Sequence, residues 1–167
     1  MQDFLTGQPP REGQANESSY TALRAKASVL FERATRLGAT YATGGSTPVQ
    51  DTVQEMQSLS RLVTRFARNL HPLDDLETRV TSRDARQSML VVHSLAHAAM
   101  IQIHHARAYA GEEPDMEAIN VTLVHAGEVV RILEIIGDTQ GGQLDPILGV
   151  SNFTFNTRDH RLNYFTT

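Results

Sequence analysis

The chain has 167 residues, about one domain's worth, and 40% of them are apolar, enough for a real core. Its formal net charge of −4, with Lys26 the single lysine among fifteen cationic residues, has the wrong sign for binding nucleic acid by phosphate neutralisation alone. The absence of cysteine excludes disulfides, thiolate zinc sites, iron–sulfur clusters and a cysteine nucleophile.

Residues 1–17, rich in Gln, Pro, Gly and charge, predict a flexible lead-in without the cationic and apolar runs of a secretory signal. Residues 18–150 predict a helical domain. Ser18 or Ser19 can cap its first helix, in which Leu23, Ala27, Leu30, Phe31, Ala34 and Leu37 recur at helical spacing. "ATGGSTP" (Ala42 to Pro48) ends that helix with glycines and opens the next with a proline. The second helix places Val49, Val53, Met56, Leu59, Val63, Phe66 and Leu70 on one stripe. Pro72 stops it, because the residue before a proline is pushed out of the helical region. "HPLDDLETRVTSRD" follows as a charged connection with room for a short helical turn.

The third helix, about Arg83 to Tyr109, carries Met89, Leu90, Val91, Val92, Leu95, Ile101 and Ile103 around most of its circumference, the pattern of a helix buried on more than one side. "GEEPDME" breaks the chain, with Pro114 placed for a first helical turn. The fourth helix contains "VVRILEII" and is expected to close at Gly137, and "LDPILGV" (Leu144 to Val150) looks like the start of a fifth. No apolar run reaches the ~18 residues that a membrane-spanning helix requires. The fold class is therefore all-α, with four long helices plus the start of a fifth.

"HSLAHAAMIQIHHARA" (His93 to Ala108) holds four of the seven histidines. On a helix His93 and His97 lie four apart and could reach one zinc ion. His104 lies ~10 Å further along the axis and could not share it. A third ligand would have to come from His125 or Glu128, and Ser94 stands where a metalloprotease helix carries glutamate. Against this stands a central helix whose histidines hydrogen-bond inside a core. That reading assigns no catalytic, cofactor-binding or metal residue. Gly141-Gly142 lacks the Lys-Ser/Thr of a phosphate loop, and no serine sits in a nucleophile elbow. The carboxylates Asp74, Asp75, Glu77, Glu112 and Glu113 are explained by surface solvation, and Met56, Met89, Met100 and Met116 by core filling. Arg24, Lys26, Arg33 and Arg36, like Arg61, Arg65 and Arg68, fit solvated helix faces, with a basic groove as the alternative.

"LVVHSLAHAAMIQIHH" (Leu90 to His105), then "HAGEVVRILEII" (His125 to Ile136) and "LDPILGV", resemble the middle region of fungal zinc-cluster transcription factors, most of all the basidiomycete branch. "ESSYTALRAKASVLFERATRL" is similar to a helix found earlier in that region, so the likeness runs from about Ser18 to Val150. The resemblance implies an all-helical regulatory domain of a nuclear protein that regulates RNA polymerase II transcription without being an enzyme. It makes the histidine run core. Zinc belongs to a six-cysteine DNA-binding module that this cysteine-free sequence lacks, so no cofactor and no autonomous specific DNA binding are expected of it. Since the family continues beyond the "DPILGV" helix, the resemblance also implies a domain cut short. Apolar helix faces left exposed would then drive self-association or binding of protein partners. The alternative is a freestanding helical binding protein or a metal-dependent hydrolase using His93, His97 and His125.

"SNFTFNTRDHRLNYFTT" (Ser151 to Thr167) abandons the helical period where the resemblance ends. Val150-Ser151 can be encoded by GTA-AGT, a common splice-donor sequence, and this tail is expected to be translated intron and irregular. The alternative is a native extension whose aromatic side chains dock on the core.

Overall fold

The structure, a computed structural model, describes residues 12–43, 49–109 and 113–140. All regular structure among them is helical: α1 (Glu12–Ala42), α2 (Val49–Arg68), a 3-10 turn (Leu73–Asp75) leading into the short α3 (Leu76–Arg79), α4 (Arg83–Ala108) and α5 (Met116–Gln140). No helix among the described residues is long and apolar enough to cross a membrane. The predicted fifth helix at Leu144–Val150 and the tail from Ser151 lie outside the described residues.

Helix ends follow local chemistry in most places. The Ser82 hydroxyl accepts the Ala85 N–H at 3.4 Å and caps α4, and Asp115 caps α5 by accepting the Ala118 N–H at 3.1 Å. After α2 the chain tightens, Leu70 N–H donating to the Ala67 carbonyl before Pro72. Three expectations are corrected. The first helix begins at Glu12, so Ser18 and Ser19 lie inside it, as does the end of the predicted lead-in. Pro114 precedes the cap of α5 and is not in its first turn. Gly137 does not end α5, which continues to Gln140. One interior glycine costs a helix only ~1 kcal/mol relative to alanine, and the glycine pair Gly141-Gly142 comes just past the observed end.

The α4 helix is the centre of the molecule. Fifteen of its residues are buried, which requires neighbours on several sides, and α1, α2 and α5 supply them. Helix α1 runs parallel to α4: Ala27 shares an apolar cluster with Met89 to Leu95, and Gly38 lies against Gln102 and Ala106. The other two run antiparallel to it. On α2, Met56 and Ser60 lie beside Ile103 and His104, and Leu70, just past its end, joins the cluster around the start of α4. On α5, His125 meets His97, and Ile132 and Ile136 reach that same cluster.

A second cluster joins Ala34 and Leu37 of α1, Met56, Leu59 and Val63 of α2, and Ala96, Ala99, Met100 and Ile103 of α4. Met56, Met89 and Met100 fill the core as expected, but Met116 is exposed, because the first turn of α5 turns Ala118 inward and leaves Met116 on the outer side. Arg33, Arg36, Arg61, Arg65 and Arg68 are exposed along with Lys26, whereas Arg24 is half-buried.

Candidate functional site

The four histidines of α4 occupy four different environments. His93, only 7% exposed, lies with its Nε2 2.9 Å from the His71 carbonyl oxygen. A carbonyl can only accept, so Nε2 carries the proton and donates. His71 belongs to the turn that Pro72 imposes after α2. The bond therefore fastens the α2–α3 connection to the central helix. Burial pushes the His93 pKa down, opposed by that hydrogen bond and by the charge of Glu128.

One turn further on, His97 Nδ1 lies 2.9 Å from His125 Nδ1. The rings are tilted by 46° with centroids 5.1 Å apart. A contact this short requires one ring to donate from Nδ1 and the other to accept there, so at most one of the facing nitrogens carries a proton. Burial is the main reason that His97 is pushed down to about 4, and the neighbouring His125 and His93 add to it. Burial also lowers His125, against the opposing charge of Glu128. Both rings are thus neutral at pH 7, joined across the α4–α5 seam. The Ser94 hydroxyl, next in sequence to His93, is buried without a hydrogen-bond partner among the described residues.

His104, two turns beyond His97, faces α2. Its Nε2 is 3.4 Å from the Ser60 hydroxyl, whose own proton points toward Met100 Sδ at 3.8 Å. The pocket beside it, about 310 Å³, is lined by Met56, Gln57, Ser60, Arg61, Ile103 and Arg107. Burial, followed by the Arg107 charge, lowers the His104 pKa. Arg107 is held by Asp115, which accepts from Nε at 3.1 Å and Nη2 at 2.7 Å. That hydrogen bond is the first reason that the Asp115 carboxyl lies below the usual carboxylate range. His105 is exposed and packs edge-on against Tyr109, with ring centroids 5.1 Å apart.

The structure therefore brings together two of the three histidines named for a metal site, His97 and His125, and turns the Nε2 of His93 to a backbone carbonyl. Among the described residues no group of three or more His, Asp or Glu side chains is arranged to hold a metal ion. Of the carboxylates explained as surface groups, Asp75 pairs with Arg79 at 3.2 Å, and Asp74 pairs with Arg131, tying the 3-10 turn to α5. The sequence pattern identified the His97–His125 proximity as a possibility only through metal chemistry. It missed the roles of His71, Ser60 and the Arg107–Asp115 clamp. The first is a backbone acceptor and carries no side-chain signal. The Asp115 cap was legible as an acidic residue one position before a helix. Comparison of the chain with protein-family models, with curated proteins and with solved structures finds no match.

Proposed function

We propose that this chain is a helical regulatory module of the kind found in fungal zinc-cluster transcription factors, working in the nucleus through protein contacts rather than by catalysis or by reading DNA. The observation that carries this reading is where the family-like residues lie. "LVVHSLAHAAMIQIHH" and "HAGEVVRILEII" are the two segments that build the α4–α5 seam, meeting at His97–His125 and at the cluster of Leu90, Leu95, Ile132 and Ile136. Three of the motif histidines, His93, His97 and His104, each have one ring nitrogen within hydrogen-bonding distance of a group inside the fold, which favours a scaffold over a reaction centre. Exposed apolar side chains on α1, α2 and α5 offer the contact surface that a regulatory module requires.

A reporter assay tests it. Fused to an unrelated DNA-binding domain in a fungal host, the chain should change transcription from the cognate reporter relative to that domain alone. Unchanged transcription with the fusion expressed in the nucleus would overturn the proposal. By itself the chain should bind duplex DNA weakly and without sequence preference at physiological salt, because it is acidic and carries no DNA-reading zinc module. A stoichiometric zinc ion lost in both His97→Ala and His125→Ala would instead favour the metal-dependent reading.

A further inference from the structure

Two apolar surfaces remain uncovered on different sides of α4. The first is the outer seam between α1 and α2, a groove of about 430 Å³ lined by Ala25, Lys26, Val29, Leu30, Leu62 and Phe66. In it Val29 is 64% and Leu62 45% exposed. The second is the outer face of α5, where Met116 (62%), Leu123 (63%) and Val130 (55%) repeat every seven residues. That spacing places them in one line along a helix. Gly127 lies in the same line, and a Cβ added there would meet nothing within 4 Å.

The two surfaces differ in charge. On the seam, Glu55 is already paired with Arg33 at 2.7 Å and Glu32 with Arg36 at 3.5 Å. Lys26 and Arg65 have no carboxylate partner among the described residues, so the surplus there is positive. On α5, Arg131 is committed to Asp74 and Glu128. Glu134, one turn beyond Val130, has no cationic partner among the described residues, so the surplus there is negative. A ridge of apolar side chains with an acidic edge matches a groove of apolar side chains with a basic edge.

We propose that these surfaces bind each other between copies of this chain: the outer face of α5 in one copy seats in the α1–α2 seam of the next, Leu123 and Val130 against Val29 and Leu62, with Glu134 toward Lys26 and Arg65. Because the two surfaces are different, the contact is heterologous. Each added copy presents a fresh groove or ridge, and assembly proceeds to rings or open chains and does not stop at a two-fold dimer. The assembly does not depend on the regulatory reading.

Sedimentation of the full chain tests this with two variants, Val29→Glu/Leu62→Glu in the groove and Leu123→Glu/Val130→Glu on the ridge. The altered side chains are exposed, and unchanged helical circular dichroism will report that each variant folds. The wild-type chain should sediment as species larger than a dimer, of one fixed size if the contact closes a ring and growing with concentration if it propagates an open chain. Each variant alone should be monomeric. Mixed in equal amounts, they should form a 1:1 dimer of twice the monomer mass and nothing larger, because each supplies the one surface that the other lacks. Lys26→Glu/Arg65→Glu should weaken assembly, and Glu134→Lys in the same chain should restore it. A wild-type chain that stays monomeric, a mixture that stays monomeric, or a groove variant that still dimerises through α5 alone would overturn the proposal.

Discussion

Toward α1, the central helix offers small residues and little polarity. Ala96 and Ala99 pack with Ala34 and Leu37, and Gly38 lets the helices approach until a Cβ placed there would lie 3.2 Å from the Gln102 carbonyl oxygen. Toward α5, the same helix offers imidazole. His97 and His125 share one hydrogen between two half-buried rings, and Ile132 and Ile136 supply an apolar contact at the far end of the seam. The first interface is specified by volume, since dispersion and burial reward close approach and only a small residue permits it. The second is specified by protonation state as well as by volume. One helix can therefore hold two neighbours under different conditions of failure.

The largest expected effect tests the apolar end of the second interface. Ile132 is fully buried, and Ile132→Ala should destabilise the fold by ~2–5 kcal/mol through lost burial and a residual cavity. Denaturant unfolding measures it. A loss well under 1 kcal/mol would mean that α5 is held mainly by its histidines.

Acid should separate the two interfaces next. An unfolded chain protonates His97 near the ordinary 6.5, whereas the folded chain resists until about 4. The unfolded state therefore binds more protons in that window. The stability due to the neutral ring is fully present above pH 6.5 and is lost as the pH falls toward 4. At most about 3 kcal/mol is at stake for His97. His93, His104 and His125 are lowered in the same direction and add to the trend. His97→Leu/His125→Leu should flatten much of the dependence while leaving stability near neutral pH almost unchanged, since both partners of the hydrogen bond go together. Equally steep acid unfolding in that variant would assign the effect to other groups.

The α1–α4 interface should respond to volume and not to pH. Gly38→Val should cost ~1–3 kcal/mol by forcing the helix backbones apart, to the same extent at pH 5 and pH 7. The smallest effect lies outside both interfaces. Gly127 is in mid-helix with open space around its Cβ position, so Gly127→Ala should raise stability by up to ~1 kcal/mol through helix propensity. Thermal unfolding at a concentration where the chain is monomeric will register its sign, and a destabilised variant would show that the added Cβ meets a neighbour within the same chain.

Local chemistry made the fold class legible. Apolar residues at helical spacing in "LRAKASVLFERATRL" and "VQEMQSLSRLVTRF" identify amphipathic helices, and the all-round apolar "SMLVVHSLAHAAMIQI" identifies the helix that other helices must surround. The Pro72 stop acts within a few residues, so its effect is written where it stands. The site was half legible. His97 and His125 could be paired as candidates, because each lies on the inner face of its own helix. That His93 would bind a backbone carbonyl was invisible, since its acceptor depends on where the chain turns after α2.

By itself the sequence determined which segments are helices and which faces are apolar, because propensity, capping and periodicity are properties of neighbours along the chain. Only the tertiary structure decided that α1 and α4 run parallel in close contact through Gly38, that His97 finds His125 while His104 finds Ser60, and that Met116 is left exposed. His97 and His104 stand on nearly the same side of an ideal helix, seven residues apart, yet face different partners. Their environments are set by which helix crosses α4 at each level, a choice made by total packing and loop closure and not by any residue's own preference.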